Sequence, residues 1–376
     1  GKLSVMKVLA GTITGEGSKL NSTRGHKERT GHLYLIEGKK TREVKEASVG
    51  DIVAMVKLKD THTGDTFCDE NSPILLPELV HDKPCLSYAV TPKSKADEDK
   101  VPQGLAKLLE EDPSLEYGRD DETNEFLLSG TGQVHVEVSV EKLKRKYGCE
   151  VELKSPRIPY KETIRATVKV QGKYKKQSGG RGQYGDAWLE VGPLPKGEGF
   201  LFENAIVGGA IPRQYIPAVE KGVKEAMSGG VVAGYQVVDV RVKLYDGSYH
   251  TVDSSEMAFK IAASMGFKKA VTQAKPILTE PIMSMEVTVP EENMGDIMGD
   301  INSRRGKVQG MDSRGRSQVI KALVPMAEII NYTNDLNGMT GDRGIFSMEF
   351  SHYEEVPSHL IAQIIEASGK GKEKTV

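Results

Sequence analysis

The sequence has few cysteines, and none of them follows a metal-binding or disulfide pattern. Cys68, Cys85 and Cys149 are odd in number and far apart in a chain of 376 residues. A zinc site would show paired C-x-x-C spacing, and a disulfide framework would show an even set. We therefore expect reduced thiols, no metal site and a cytoplasmic protein.

The sequence also lacks a long apolar run and the common catalytic motifs. No stretch of about 18 apolar residues is present, and the N-terminus lacks the apolar core of a signal peptide. We find no G-x-x-x-x-G-K-[ST] phosphate loop, no Asn-Lys-x-Asp guanine motif, no Gly-x-Ser-x-Gly elbow and no His-Glu-x-x-His helix. We expect no membrane partner, no bound cofactor and no catalysis from this chain alone.

Composition indicates a folded chain with several domains. Charged residues make up 28% and hydrophobic residues 38%, and the formal net charge is −2. A chain of this length exceeds a single hydrophobic core, so two to four domains are expected. The net charge excludes a protein that binds nucleic acid over its whole surface, but it is compatible with a local basic tip.

Short segments and turn residues divide the chain into four domains and a tail, as a multidomain α+β protein. Residues 1–82 hold short alternating strands between glycines, which indicates a small β-barrel. Residues 83–155 and 281–356 each follow the order β-α-β-β-α-β. Residues 156–280 combine strands, helices and a glycine-rich loop, and 357–376 form a terminal helix with a lysine-rich end. The proline-marked joints near 82, 155 and 280 are expected to let the domains reorient as rigid bodies.

Two helices need specific assignments. Residues 133–147 fit both strand alternation and a helical face, and the charged run before Gly148 favours a helix that ends there. For the helix after residue 253, we expect Asp253 to cap the first turn. Its inner face is predicted to carry Met257, Ile261 and Met265.

A glycine-rich segment near the middle of the chain combines backbone freedom with side chains that contact RNA. From 160 to 186 there are seven lysines or arginines and only two acids, Glu162 and Asp186. A glycine cluster alone would be a flexible turn, but Arg, Gln and Tyr beside basic strands favour an RNA-contacting loop rather than a packed strand. The candidate residues are Gly179, Gly180, Arg181, Gly182, Gln183, Tyr184 and Gly185.

A second candidate loop follows a strand that alternates between 238 and 244. His250 is either an ordinary structural or surface histidine or a projecting residue at a loop tip, and spacing does not decide between the two. The loop residues are Asp246, Gly247, Ser248, Tyr249 and His250.

Other basic residues are weaker candidates. Arg304 and Arg305 fit a solvated turn after a helix, and they also suit bidentate phosphate contact. The lysine-rich tail 369–374 fits a disordered solubilising end. The candidate RNA contacts outside the two loops are Lys173, Lys175, Lys176, Arg304 and Arg305.

Several long motifs in a fixed order resemble those of bacterial elongation factor G, a translational GTPase. They are Gly179-Gly-Arg-Gly-Gln-Tyr-Gly185, Asn204-Ala-Ile-Val-Gly-Gly209, Leu244-Tyr-Asp-Gly-Ser-Tyr-His250, Val252-Asp-Ser-Ser-Glu-Met-Ala-Phe259 and Met294-Gly-Asp-Ile-Met-Gly-Asp300. The resemblance extends over essentially the whole chain and identifies it as a fragment that corresponds to domains II to V.

The resemblance implies a translation-factor β-barrel, a ferredoxin-like domain III, an elongated domain IV with an S5-like core, and a ferredoxin-like domain V. It implies that both loops contact the tRNA–mRNA pair at the decoding region of the ribosome during translocation, and that domain V lies near ribosomal RNA. GTP and Mg²⁺ would bind the GTPase domain of the full-length protein, which is expected to be a cytoplasmic monomer.

Two departures from the family pattern leave the exact role open. The family's Gly-Met-Gly-Glu-Leu-His-Leu-Glu is here Gly130-Thr-Gly-Gln-Val-His-Val-Glu137, with Thr131 and Gln133, and Asp186 stands where a histidine is common. A paralogue that acts in ribosome recycling is therefore an alternative. A GTP-independent RNA-binding module and a ribosome-protection protein are further alternatives, although the loop motifs match the translocase more closely.

Overall fold

The computed structural model describes residues 2–81, 83–177 and 182–368, and it confirms a multidomain α+β architecture. The chain forms two compact units. One contains residues 1–120 and 125–155, and the other contains 121–124 and 156–376.

The N-terminal region is built from short strands, as the glycine-separated segments predict. They pair in three sheets of order β1-β8-β5-β6, β2-β7 and β4-β3-β9. Leu33, Val53 and Met55 are fully buried at the centre of their core. The strands are β1 (Leu3–Lys7), β2 (Thr12–Thr14), β3 (Gly17–Asn21), β4 (His26–Thr30), β5 (Leu33–Glu37), β6 (Lys40–Val44), β7 (Glu46–Ser48), β8 (Ile52–Val56) and β9 (Phe67–Cys68).

The next region has the predicted β-α-β-β-α-β order, with an antiparallel sheet of order β11-β12-β10-β13. The ambiguous segment is a helix. Val136 and Leu143 are buried on the same helical face, two turns apart, and Gly148 adopts φ 65° at its C-cap. The elements are β10 (Leu86–Pro92), α1 (Lys100–Glu111), β11 (Glu116–Arg119), β12 (Phe126–Gly130), α2 (Gln133–Tyr147) and β13 (Val151–Lys154).

The third region has a four-stranded sheet of order β15-β16-β18-β17, in which only the β17–β18 pair is parallel. Helix α4 packs on β15 and β16, where Gly172 and Gly266 bring the two backbones together. The elements are β14 (Lys161–Ile164), β15 (Val168–Lys176), β16 (Gln183–Pro193), β17 (Phe200–Asn204), α3 (Ile216–Ser228), β18 (Val240–Ser248) and α4 (Glu256–Gln273).

The C-terminal region again has the β-α-β-β-α-β order, with its second helical segment broken into two and followed by a terminal helix. Its sheet has the order β14-β19-β21-β20, and β22 also pairs with β19. The elements are β19 (Pro276–Pro290), α5 (Met294–Ser303), β20 (Lys307–Arg314), β21 (Ser317–Pro325), α6 (Met326–Ile329), α7 (Tyr332–Thr340), β22 (Ile345–Glu355) and α8 (Ser358–Ala367).

An unbroken strand lies at the joint expected near residue 280. Strand β19 runs without interruption from Pro276 to Pro290, with its first residues paired to β14 and its later residues paired to β21 and β22. Proline is tolerated where its missing N–H leaves no ladder hydrogen bond unmade. The prolines at 276 and 281 therefore lie within a continuous strand, and the domain joint there stays a prediction.

Candidate nucleic-acid interface

The two candidate loops lie at the same end of one sheet. Strands β16 and β18 are antiparallel, and Asp186 near the start of β16 pairs with Ser248 at the end of β18. The segment before β16 and the segment after β18 are therefore neighbours, although about sixty residues separate them in the chain. We call the described residues 182–186 and 246–254 the tip.

Hydrogen bonds join the two halves of the tip. The Gly182 N–H donates to Asp253 Oδ1 at 3.0 Å, and the Tyr184 N–H donates to the Asp253 carbonyl at 2.9 Å. Ser254 Oγ donates to the Tyr184 carbonyl at 3.0 Å, and the Tyr184 hydroxyl lies 2.7 Å from Ser248 Oγ. Because both backbone and side-chain groups cross the gap, the halves form one connected surface.

His250 is both anchored and exposed. The backbone N–H of His250 donates to Ser254 Oγ at 2.9 Å. The imidazole Nδ1 accepts from the backbone N–H groups of Val252 and Asp253, at 3.3 and 3.1 Å. Two donors directed at Nδ1 favour the tautomer in which Nε2 carries the proton. The side chain is 54% exposed, and the neighbouring Tyr249 is 47% exposed. The His250 ring is thus fixed by hydrogen bonds to Nδ1 and presents its Nε2–H as a donor to solvent.

The described glycines of the tip serve packing, which corrects the interpretation of the segment as an unpacked loop. Gly185 lies inside β16, where a Cβ would come within 2.6 Å of the carbonyl carbon of Ala258 on α4. At Gly247 a Cβ would come within 2.5 Å of both the Asp186 carbonyl oxygen and Ile211. Gly179, Gly180 and Arg181 lie outside the described residues.

The polar side chains of the tip have local partners. Gln183 is exposed and accepts from the Tyr174 hydroxyl at 3.1 Å. Asp246 is exposed and accepts from the N–H of Gly247 at 2.8 Å. Asp186 is buried and accepts from Gln171 and from Ser248, at 2.9 and 2.7 Å. Asp186 therefore supports the sheet, and the departure from histidine at this position adds no exposed acid.

The basic strand β15 runs beside the tip. Lys173, Lys175 and Lys176 are exposed, and Lys173 Nζ lies 5.7 Å from the centroid of the Tyr184 ring. The two acids of the same stretch, Glu162 and Asp186, are both buried. The Glu162 carboxylate accepts from five backbone N–H groups of residues 231–235. Lys161, Arg165 and Lys169 pair with Glu122, Glu355 and Glu190 of other segments. The positive charge that faces solvent beside the tip is therefore that of Lys173, Lys175 and Lys176.

Two predictions for helix α4 are wrong. Ser255 is the N-cap and accepts from the Ala258 N–H at 3.2 Å, while the Asp253 carboxylate turns to the other half of the tip. Met257 and Met265 are 56% and 49% exposed, because alanine, glycine and phenylalanine form the inner face. Small residues at the contact allow the close approach of α4 to the sheet.

Arg304 and Arg305 form a different kind of site. Arg304 donates to Asp300 and Asp335, each at 2.8 Å, and to the Glu328 carbonyl at 2.9 Å. Arg305 donates through both Nη atoms to Glu280 at 2.5 and 2.9 Å, and through Nε to Glu328 at 2.9 Å. The hydrogen bond to Glu280 raises the pKa of Arg305, and that to Asp300 raises the pKa of Arg304. We call these residues the arginine cluster; its contact with RNA stays a prediction.

Within the described residues, one group of side chains has ligand atoms close enough together to share a metal ion. Ligand atoms of His26, Glu28 and Asp60 lie within 4.8 Å of one another. The Glu28 carboxylate already accepts from Lys59, Asp60 and Thr61, so its oxygens serve local structure. Helices in the described part of the chain are all too short or too polar to cross a membrane.

Comparison with known proteins defines the class as a translation factor. Four family models match consecutive segments: elongation factor G domain 2 at 1–70, domain III at 82–155, domain IV at 156–275, and the elongation factor G C-terminus at 277–364. The chain therefore belongs to the elongation factor G family and corresponds to domains II to V, as the motifs indicated.

A solved structure agrees with this assignment. The chain is 41% identical to a protein of known crystal structure from Thermus thermophilus, with a TM-score of 0.82. The match covers 98% of this chain and 56% of that one, so the chain spans about half the length of this relative. The domain boundaries and the RNA-contacting roles of individual residues stay predictions.

Proposed function

We propose that this chain is the ribosome-engaging part of a translation elongation factor G that promotes GTP-dependent translocation of tRNA and mRNA. In this proposal the tip of domain IV contacts the tRNA–mRNA pair at the decoding region. GTP and Mg²⁺ bind a domain outside residues 1–376, and this chain contributes no catalysis. The factor acts as a cytoplasmic monomer.

The observation that carries the proposal is the joining of the two loops into one surface with an exposed Tyr249 and His250. A tip held by hydrogen bonds loses little conformational freedom when it binds, so more of the contact energy appears as affinity. The imidazole Nε2–H suits a phosphate or base acceptor, and the tyrosine ring suits an unpaired base. Lys173, Lys175 and Lys176 provide phosphate contacts beside these groups.

The test uses the full-length factor and single-turnover translocation on programmed ribosomes. We expect His250→Ala to slow translocation by about tenfold or more, because a hydrogen bond to a charged group is lost. Ribosome-stimulated GTP hydrolysis should be unchanged. His359→Ala, which removes an exposed histidine of α8, is the matched control and should translocate as wild type.

An unaltered translocation rate for His250→Ala would remove the role assigned to the tip. A wild-type factor that splits ribosomes into subunits but does not translocate would establish the recycling alternative instead. Salt dependence adds a second readout, since loss of the three lysines should weaken ribosome binding most at low salt.

A further inference from the structure

The sheet of domain IV has one face covered by α4 and another that carries polar and aromatic side chains. Residues directly opposite one another in an antiparallel pair share a face, and successive residues along a strand point to opposite faces. The register opposes Lys169 to Glu190, Gln171 to Trp188, Lys173 to Asp186 and Lys175 to Tyr184. The partners on the covered face include the pairs Val170–Leu189 and Gly172–Ala187, all of them buried. We call the other side the outer sheet face.

Three aromatic rings lie on the outer sheet face, each beside a cation or another ring. Trp188 and Tyr245 have ring centroids 6.3 Å apart. Lys169 Nζ lies 5.4 Å from the Tyr245 centroid, and Lys173 Nζ lies 5.7 Å from that of Tyr184. The register shift between Trp188 and Leu189 leaves Tyr245 as an extra residue of β18, beside Trp188. All three rings are partly exposed.

The charges on this face favour an anion. Lys169, Lys173 and Lys175 are exposed along β15. Of the acids, Asp186 is buried by its hydrogen bonds, and Glu190 lies within 3.3 Å of Lys169 and 3.7 Å of Arg241. Among the described residues of the tip, the one exposed acid is Asp246, which lies opposite Trp188 and accepts from the Gly247 N–H. Cations therefore outnumber accessible acids at the end of the sheet nearest the tip.

We propose that the outer sheet face is a second RNA surface, which binds a single-stranded segment. Unpaired bases stack on Trp188 and Tyr245, and their phosphates contact Lys169, Lys173 and Lys175. A duplex hides its base faces, whereas a single strand offers them to aromatic rings, so this mixture of rings and lysines fits single-stranded RNA. The inference rests on the proposed RNA contact of the tip, to which Tyr184 and Ser248 connect the face directly.

Trp188 is the only tryptophan of the chain, so its fluorescence reports on the face itself. The experiment titrates the purified chain with a fluorescently labelled 12-nucleotide oligouridine at low salt. RNA anisotropy and Trp188 emission are followed together. We expect quenching that saturates with the anisotropy signal. Tyr245→Ala should weaken binding by about fivefold to a hundredfold, because one stacked base is lost.

Control variants distinguish RNA binding at the outer sheet face from general electrostatic attraction to the protein. Tyr245→Phe keeps the ring and should bind as wild type, which also separates stacking from folding. The double variant Lys169→Ala/Lys173→Ala should lower the slope of log affinity against log salt by about 0.7 for each lysine removed. Lys268→Ala/Lys269→Ala removes two exposed lysines of α4, on the other side of the sheet, and should leave quenching intact.

Absence of oligouridine binding at low salt, binding without quenching, or an unchanged affinity for Tyr245→Ala would each overturn the inference. A 12-base-pair RNA duplex that binds as tightly as the single strand would also overturn it. Each of these results leaves the proposed function standing, because that is measured by the translocation rate of His250→Ala. If His250→Ala translocated at the wild-type rate while oligouridine still quenched Trp188, the proposed role of the tip would be wrong and the outer sheet face would remain an RNA surface.

Discussion

The tip of domain IV and the arginine cluster of domain V are both polar, basic regions, and they differ in what their charged groups face. In the tip, hydrogen bonds are used to hold the backbone, and His250 and the lysines of β15 remain exposed. In the arginine cluster, the guanidinium groups themselves are bonded to carboxylates. Arg305 is 25% exposed and Glu280 only 3%. A basic motif therefore indicates binding only when its donors are available.

The difference arises from residues that are distant in sequence. Arg305 acquires Glu280 from β19 and Glu328 from α6, whereas the acids near β15 turn inward to backbone N–H groups or to Gln171 and Ser248. Breaking each region in turn should therefore change different properties. The arginine cluster should affect stability, and the tip should affect function.

The largest effect is expected for Arg305→Ala. Removal of one partner leaves Glu280 buried without its counter-charge, which costs about 3 kcal/mol. Arg305→Lys should recover only part of this, because an ammonium cannot form the bidentate contact. Hydrogen exchange of the β19–β22 amides, followed by mass spectrometry, measures the change in opening free energy.

The matched control is Arg343→Ala, whose partner Glu292 is 66% exposed. Exposed pairs contribute about 0–1 kcal/mol, so its exchange should stay close to wild type. Equal effects of the two substitutions would show that the arginine cluster is no more structural than a surface ion pair.

Gly185→Ala should have the next largest effect. The added methyl group meets the backbone of Ala258, which cannot move without displacing α4, and overpacking of this kind costs about 1–3 kcal/mol. Gly182→Ala is the comparison, because the atoms nearest to its Cβ would belong to the Asp253 side chain, at 3.1 Å, and not to a backbone. Urea unfolding followed by Trp188 fluorescence should show a clear loss for the first variant and a smaller one for the second. The reverse order would restore the interpretation of Gly185 as a loop glycine.

An alkaline titration tests how well the arginine cluster excludes water. Burial raises the pKa of the adjacent Tyr160 from 10.0 to about 12, and the charge of Glu280 acts in the same direction. Between these values the unfolded chain loses the tyrosine proton first, so stability is complete below pH 10 and falls as the pH rises toward 12. Because the ring is partly exposed, we expect a contribution of about 1 kcal/mol.

Tyr160→Phe removes this proton and should make the urea midpoint fall less between about pH 9 and about pH 11 than in wild type. Circular dichroism measures both proteins under identical conditions. Parallel declines would show that Tyr160 ionises as readily as in the unfolded chain.

Much of the fold could be predicted because hydrophobic periodicity reports which face is buried. The β-α-β-β-α-β order of domains III and V and the helix 133–147 follow from that signal. The buried face of α4 could not be predicted in this way. Ala258, Ala262 and Gly266 form its contact with the sheet and are only weakly hydrophobic, whereas the exposed Met257 and Met265 are more hydrophobic. The continuity of β19 depends on pairing with distant strands, which a local proline pattern does not show.

The proximity of the two loops could be predicted from their positions beside neighbouring strands, but the residue that joins them could not. Asp253 was expected to cap α4, and Ser255 has that role instead. A polar residue near a helix start can accept from several N–H groups within reach. Which one it accepts from depends on where β16 places Gly182, and that is decided by tertiary structure.

Asp253→Ala therefore gives a small expected change in stability and the sharpest separation of the two regions. It leaves the buried Gly182 N–H without its acceptor, which costs about 1 kcal/mol, and it removes the carboxylate 3.4 Å from His250 Nδ1. Urea unfolding should shift slightly, while translocation by the full-length factor should slow nearly as much as with His250→Ala, because the halves of the tip lose a connection. Asp253→Asn retains an acceptor oxygen and should restore most of both. If Asp253→Ala instead lowered stability as much as Arg305→Ala without slowing translocation, the tip would be a structural element like the arginine cluster.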